Sequence, residues 1–155
     1  MLDLLKYSPP VGFHFIVVFN GITTKISDHQ FQSVSGLTVN LETEEIAEGG
    51  ENRYKHSLPV RTKYSNLVLK RGLLIDSGVI NWCRQALENF KIKPIDLTII
   101  LLDENHLPLQ TWNVVHAYPV KWEISDFNAE ESKLVIESLE LTYNYFKLVK
   151  NAYNY

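Results

Sequence analysis

The sequence predicts a mainly β fold, a barrel or two packed antiparallel sheets, with one flanking helix and an extended loop arm. Three observations predict it. Short runs of β-branched and aromatic residues recur along the chain, turn residues separate them, and a single segment has helical spacing. At 155 residues, 45% hydrophobic and 21% charged, the chain can fill one core and is neither disordered nor fibrous. Residues 1–155 therefore read as a single domain.

Pro9-Pro10 sets off a short N-terminal arm, residues 1–10. Phe13–Phe19 reads as the first strand and Asn20-Gly21 as the turn after it. A second strand begins near Phe31. From Thr38 to Ile46 it alternates, Val39 and Leu41 pointing one way and Asn40 and Glu42 the other, which predicts a sheet with one wet face. Residues 48–64 are polar, contain Gly49-Gly50 and exceed a hairpin loop in length, so they read as the extended arm. Asn66–Lys70 resumes as a strand.

Asp76-Ser77 predicts a helix N-cap, and the helix is placed at about Ser77–Phe90, with Pro94 as its stop. Ile80, Cys83, Leu87 and Phe90 fall on one stripe, widened by Val79, Trp82 and Ala86. Ile95–Leu102 and Leu109–Ala117 form a hairpin, and Val120–Ile124 continues the sheet. The last strand runs from about Lys133 to Phe146. Leu139, Leu141, Tyr143 and Tyr145 face one side of it, while Glu140, Thr142 and Asn144 face the other. Leu134 and Ile136 are in the opposite phase, which predicts a bulge near Glu137-Ser138. A strand of about a dozen residues is roughly twice the usual length and suggests one that serves two sheets or two subunits.

Candidate chemistry is sparse. The formal net charge of −3 argues against phosphate-backbone binding, and no sequence-specific nucleic-acid partner is expected. His14, His29, His56, His106 and His116 are not spaced as metal ligands with a second histidine or cysteine, so neither a metal nor a cofactor is expected. Cys83, alone, sits on the helical apolar stripe. Ser33 and Ser35 lack the Gly-x-Ser-x-Gly turn of a nucleophile elbow, and Gly49-Gly50 lacks the Lys-Ser/Thr of a phosphate loop. No catalytic residue is assigned, and the chain reads as a non-enzyme. No apolar run is long enough to anchor it in a membrane, and the N-terminus does not read as a signal peptide, so synthesis in the cytoplasm is expected.

One segment stands out. Arg53, Tyr54, Lys55, Leu58, Arg61 and Lys63 interleave cations with aromatic and aliphatic side chains, the composition of an inter-subunit contact arm. A solvated loop is the competing reading.

Five motifs then combine: Gly12-Phe-His-Phe, Phe31–Leu37, Pro59–Gly72, Trp112–Trp122 and Asp126–Glu130. In this order, over about Pro10–Phe146, the chain resembles the tail tube proteins of contractile phages and of phage-tail-like injection systems. The resemblance implies a fold shared with the haemolysin-coregulated tube protein of type VI secretion. It also implies six-fold rings whose sheets pair to line a channel, with sheath and baseplate proteins as partners and a cargo effector or genome in the lumen. In that family the segment between the second and third strands reaches neighbouring subunits, which corresponds here to residues 48–64. The bulk tube subunit is the leading reading and a baseplate-proximal initiator the alternative. A monomeric ligand-binding β-barrel is the rival from another class. For a tube subunit, the polar rows Asn40 and Glu42 on one strand, and Glu140, Thr142 and Asn144 on the last, are expected to give the lumen a hydrated, mildly acidic wall. The site of action is then a phage tail or an extracellular particle.

Overall fold

A computed structural model describes residues 14–47, 49–50, 55–131 and 133–149. The N-terminal arm, residues 1–10, lies outside them. In chain order the elements are β1 (His14–Phe19), a 3-10 turn (Ile26–His29), β2 (Ser33–Ser35), β3 (Val39–Ile46), β4 (His56–Tyr64) and β5 (Leu67–Gly72). Helix α1 (Gly78–Asn89) follows, then β6 (Ile95–Leu102), β7 (Pro108–Ile124), β8 (Ile136–Thr142) and β9 (Tyr145–Val149).

Seven strands form one antiparallel sheet in the order β1-β6-β7-β8-β5-β2, with β9 also on β7, and β3 and β4 form a separate two-stranded sheet. Strand β7, 17 residues long, organises the fold. Its first part pairs with β6 and β9, and its second part, from Tyr118, pairs with β8. Between them His116 takes a left-handed backbone, φ 61°, where the chain bends from one half of the sheet into the other. The strand that serves both halves is thus β7 and not the last one. The predicted last strand is broken at Tyr143–Asn144 into β8 and β9, and Asn144 N donates instead to Val115 O at 3.0 Å. The rolled sheet is a barrel open along one seam, where a bridge between Ile16 and Gln30 joins its two edges.

The core lies inside the roll. Val17, Phe19, Leu67, Leu69, Leu97, Val114, Leu139 and Leu141 are fully buried there, and α1 adds Val79, Trp82, Cys83 and Ala86. Ser77 caps α1 as predicted, its hydroxyl accepting from Ile80 N. The apolar stripe is displaced from the predicted one. Trp82 stacks edge-on to Phe19 with ring centroids 6.0 Å apart, and its indole N–H reaches Lys93 O at 2.8 Å. That anchoring turns Val79, Trp82, Cys83 and Ala86 inward and Leu87 and Phe90 outward. Phe90, in the left-handed C-cap conformation, is 84% exposed.

The predicted bulge at Glu137-Ser138 is absent from β8, whose burial alternates without interruption. Glu137 occupies an inward position in phase with Leu139 and Leu141, so a buried carboxylate mimics a change of phase. The register shift lies across the ladder, between Pro119 and Lys121 of β7.

Gly36 sets the departure of the β3–β4 hairpin. Its φ is 94°, and a Cβ there would lie 1.9 Å from Asn66 O, so only glycine lets β2 turn past β5.

Candidate assembly surfaces

Of residues 48–64, read as a loop, His56–Tyr64 are strand. β4 pairs antiparallel with β3 from Val39–Tyr64 to Ile46–His56, with a register shift between Glu42 and Thr43. Pro59 sits beside that shift and on a strand with a free edge, where a missing N–H costs no ladder bond. Alternating Leu58, Val60, Thr62 and Tyr64 was the signal available in the sequence; proline, glycine and charge concealed it. The base of the hairpin is fixed by Tyr64, whose ring lies edge-on to Phe146 at 5.3 Å and to Tyr143 at 6.0 Å. Beyond the base, β3 and β4 pack mainly on one another. Both faces are therefore wet, contrary to the expected single wet face: Leu41 is 59% exposed and Val60 58%, with Val39, Ile46 and Leu58 also exposed.

Of the predicted arm residues, Arg53 and Tyr54 lie outside the described residues. Lys55 precedes β4 and reaches Glu45, Nζ to Oε2 3.5 Å. Leu58, Arg61 and Lys63 are in β4. The cross-strand register brings two predicted groups together: Asn40 opposes Lys63 and Glu42 opposes Arg61. Arg61 Nε donates to Glu42 Oε2, a bond that holds the Glu42 carboxyl below its usual range and raises the guanidinium further. Both groups are solvated, so the pair adds little stability. Its consequence is geometric: Asn40, Glu42, Arg61 and Lys63 share one face and must share one environment.

Glu140 and Thr142 lie elsewhere, on the outward face of β8. Cross-strand neighbours on this face are Ser33 with Lys70, Ser35 with Val68, Val68 and Lys121 with Glu140, and Lys70 and Glu123 with Ser138. Asn66 Nδ2 donates to Glu140 Oε1 at 2.9 Å, and Lys121 Nζ is 3.2 Å from Glu123 Oε2. Two ammonium groups offset two carboxylates. This face is charge-balanced, whereas the residues expected to form an acidic wall did not include Lys70 and Lys121, which come from other strands. Asn144 sits apart, in the turn between β8 and β9.

Sequence reasoning missed a polar cluster beneath this sheet. Arg71 is buried and divides its donors: Nε to Glu137 Oε2 at 3.1 Å, Nη1 to Asp28 O at 3.1 Å and Nη2 to Ser77 Oγ at 2.8 Å. Its guanidinium also lies 4.8 Å from the centre of the Phe31 ring. Asp28 accepts from Ser77 Oγ, from Thr23 Oγ1 at 2.7 Å and from Gly78 N at 3.0 Å. Glu137 accepts from Trp122 Nε1 at 3.1 Å. Burial alone would raise the Asp28 carboxyl, but the hydrogen bonds and the Arg71 charge outweigh it and hold it below the ordinary range. Burial, with Glu137 nearby, pushes the Cys83 thiol up to about 12, so this cysteine is a core residue and not a nucleophile. Only the N-cap Ser77 had a local signature; its partners come from distant elements.

Among the described residues no three metal-ligating side chains converge. His14 and His106 meet as a pair, Nε2 to Nδ1 2.6 Å. A cleft of 730 Å³ opens beside the start of α1, lined by Gly21–Lys25, Leu74, Asp76–Gly78, Ile80, Asn81 and Arg84; its lining mixes polar and apolar groups, unlike the apolar interior a ligand-carrying barrel needs.

The sequence matches a family model described as T4-like virus tail tube protein gp19 over residues 11–147. No curated protein matches. Among solved structures, a chain of the anti-feeding prophage (AFP) baseplate, 6-fold symmetrised, is 33% identical with a TM-score of 0.82, covering 92% of this chain and 97% of that one. A chain of the sheath/tube terminator of an extracellular contractile injection system, PVC, in the extended state is 26% identical with a TM-score of 0.77, covering 94% and 99%. Hcp1 from Flavobacterium johnsoniae, 13% identical with a TM-score of 0.59 over 87% and 94%, shares the fold.

Proposed function

We propose, from the premise that this chain belongs to the T4-like virus tail tube protein gp19 family, that it assembles as six-membered rings that stack into the inner tube of a contractile injection particle. The chain is a tail tube protein of contractile injection systems, a component of a phage tail or extracellular particle. Among the described residues no helix is long and apolar enough to cross a membrane.

One observation carries the assembly reading. Among the described residues the β3–β4 hairpin has two free edges and exposes Val39, Leu41, Ile46, Leu58 and Val60, a surface that an isolated protein avoids and that neighbouring copies would cover. Arg61 and Lys63 on its charged face, with Lys55 and the preceding Arg53 and Tyr54, complete the contact arm. The balanced face of β2, β5, β8 and the second half of β7 faces the channel, where Glu140 and Thr142 offer cargo no apolar foothold. Asn144 completes that wall at its hairpin end, and Asn40 and Glu42 join it only if Arg61 and Lys63 do too. Sheath and baseplate proteins meet the remaining outer surfaces. The six-fold symmetry of the related baseplate supports the ring number. Size-exclusion mass at rising concentration and negative-stain images test this: rings or tubes are expected, and a strict monomer at all concentrations overturns it.

A second reading has its own support. Identity to the AFP baseplate chain is 33%, against 26% for the PVC terminator chain, which favours a place at the baseplate end, where the tube starts. A bulk subunit polymerises alone into long tubes; an initiator stops at rings until supplied with bulk subunits.

A further inference from the structure

His14 and His106 stand 92 residues apart in sequence, yet their rings meet at the surface, His14 Nε2 lying 2.6 Å from His106 Nδ1. We propose that this pair is a two-imidazole chelating site for a borderline divalent cation of the Zn²⁺, Ni²⁺ or Cu²⁺ class. The pair is complete in the single chain, so the site goes beyond the tube reading and stands without it.

Backbone structure aims both rings at one spot. His14 opens β1, whose ladder with β6 sets it opposite Leu102. His106 stands in the turn that follows Leu102. Four hydrogen bonds tie that turn. Asp103 Oδ1 accepts from Asn105 N and from Leu107 N, both at 2.8 Å, Asp103 N donates to Leu107 O at 2.9 Å, and His106 N donates to Asp103 O at 3.0 Å. Held this way, His106 takes a left-handed backbone, φ 63°, a conformation uncommon outside glycine. The two ring planes cross at 70° with centroids 4.6 Å apart.

In the neutral pair one facing nitrogen donates and the other offers its lone pair. Moving that proton to the far nitrogen of its own ring, His14 Nδ1 or His106 Nε2, leaves two lone pairs converging on one gap, and the neutral pair releases no proton. Bonds of about 2.0–2.1 Å from a cation to each nitrogen would hold them about 3 Å apart. The rings therefore need open by only a few tenths of an ångström. Imidazole suits zinc, nickel and copper, whereas magnesium and calcium take oxygen ligands. Water fills the other positions, since among the described residues no three metal-ligating side chains converge. A bound cation fastens the first residue of β1 to the β6–β7 turn and favours the folded chain by mass action.

The test is calorimetric titration of the untagged full chain with ZnCl₂ and with NiCl₂ at neutral pH, beside thermal melts. One cation per chain is expected, with a rise in melting temperature that MgCl₂ and CaCl₂ do not give. His14→Gln and His106→Asn should each weaken binding about tenfold or more, the least that loss of a ligand should cost, and remove the rise. Asparagine tolerates the left-handed backbone, so the turn is kept; circular dichroism checks the fold of both variants. Electron paramagnetic resonance of the wild type with one equivalent of Cu²⁺ adds a readout independent of the variants, coupling to two imidazole nitrogens being expected. A wild type that binds neither zinc nor nickel overturns the site, and so does copper coupled to a single nitrogen. Binding that persists in either variant overturns the chelate as well and assigns the cation to other groups, His29, His56 or His116 among them.

Discussion

Arg71 and Glu137 face each other across β5 and β8, Nε 3.1 Å from Oε2, with both side chains shielded from water. The pair sits where the 3-10 turn, the start of α1 and the second half of β7 converge. A single guanidinium therefore holds together elements far apart in sequence. Removing it leaves Glu137 without a counter-ion and Asp28 with a weakened one, both under the sheet.

Arg71→Met is expected to lower stability by about 3–5 kcal/mol, the range for breaking a buried ion pair by deleting one partner. Urea or thermal unfolding measures it. Arg71→Lys should recover only part of the loss, because an ammonium's three donors radiate from one nitrogen and cannot span Glu137, Asp28 and Ser77 as the separate Nε, Nη1 and Nη2 of the guanidinium do. Full recovery by lysine would show that charge alone, without geometry, holds the cluster.

Asp28 makes stability depend on acid. Its folded carboxyl titrates below the ordinary range, while in the unfolded chain it titrates near ~3.9. The folded state thus favours the ionised form. The stabilisation is full above the unfolded value and falls away as pH drops below ~3.9 toward the folded one. Thermal melts from pH 7 down to acid should show this decline, and Asp28→Asn, less stable at neutral pH, should show a shallower one. An unchanged acid dependence in the variant would remove Asp28 from the account.

How much of this was legible follows from where each signal lay. The Ser77 cap and the β6–β7 hairpin are local patterns, and they were read correctly; β3 was read as a strand, but its alternation did not reveal that both its faces are exposed. β4 was hidden because Pro59 and Gly49-Gly50 are loop residues everywhere except at a bulge and a tip. Glu137 was mistaken for a break in phase because burial of a carboxylate depends on Arg71, 66 residues away. The cluster around Arg71 has no spacing at all in sequence, since its members come from the 3-10 turn, β5, α1, β7 and β8. The direction of α1's buried face was likewise a tertiary decision, made by Trp82 against Phe19.

That decision is measurable. Trp82→Ala should cost about 3–5 kcal/mol, the range for emptying a large aromatic site. Leu87→Ala should stay within about 0.5 kcal/mol, because Leu87 is exposed in the single chain. Unfolding is to be measured on the dissociated protein, so that contacts between copies do not enter. Equal losses at the two positions would return the buried stripe to the Leu87 side.

The final prediction separates the two groups of polar residues assigned to the channel. Glu140 and Thr142 alternate with buried Leu139 and Leu141 on β8, so they share one row and must be covered or wetted together. Glu42 belongs to the hairpin and opposes Arg61, so its exposure should follow that of Arg61. Single cysteines at 140, 142, 42 and 61 in a Cys83→Ser background, labelled with a bulky maleimide, report each position before and after tube dissociation. If β8 lines the channel, positions 140 and 142 label slowly in tubes and fast once the tubes fall apart. Positions 42 and 61 should change by a common factor, slow in tubes if the hairpin lies between subunits or within the channel. Fast labelling at 140 and 142 in both states would put the balanced face on the outside of the tube. The channel would then have to be lined by the other half of the sheet, β1, β6 and β9, whose outward row includes Ile16, Val18 and Ile100. Such a row would give cargo the apolar foothold that the β8 face withholds, because Ile16 opposes Ile100 and the two present aliphatic surface side by side.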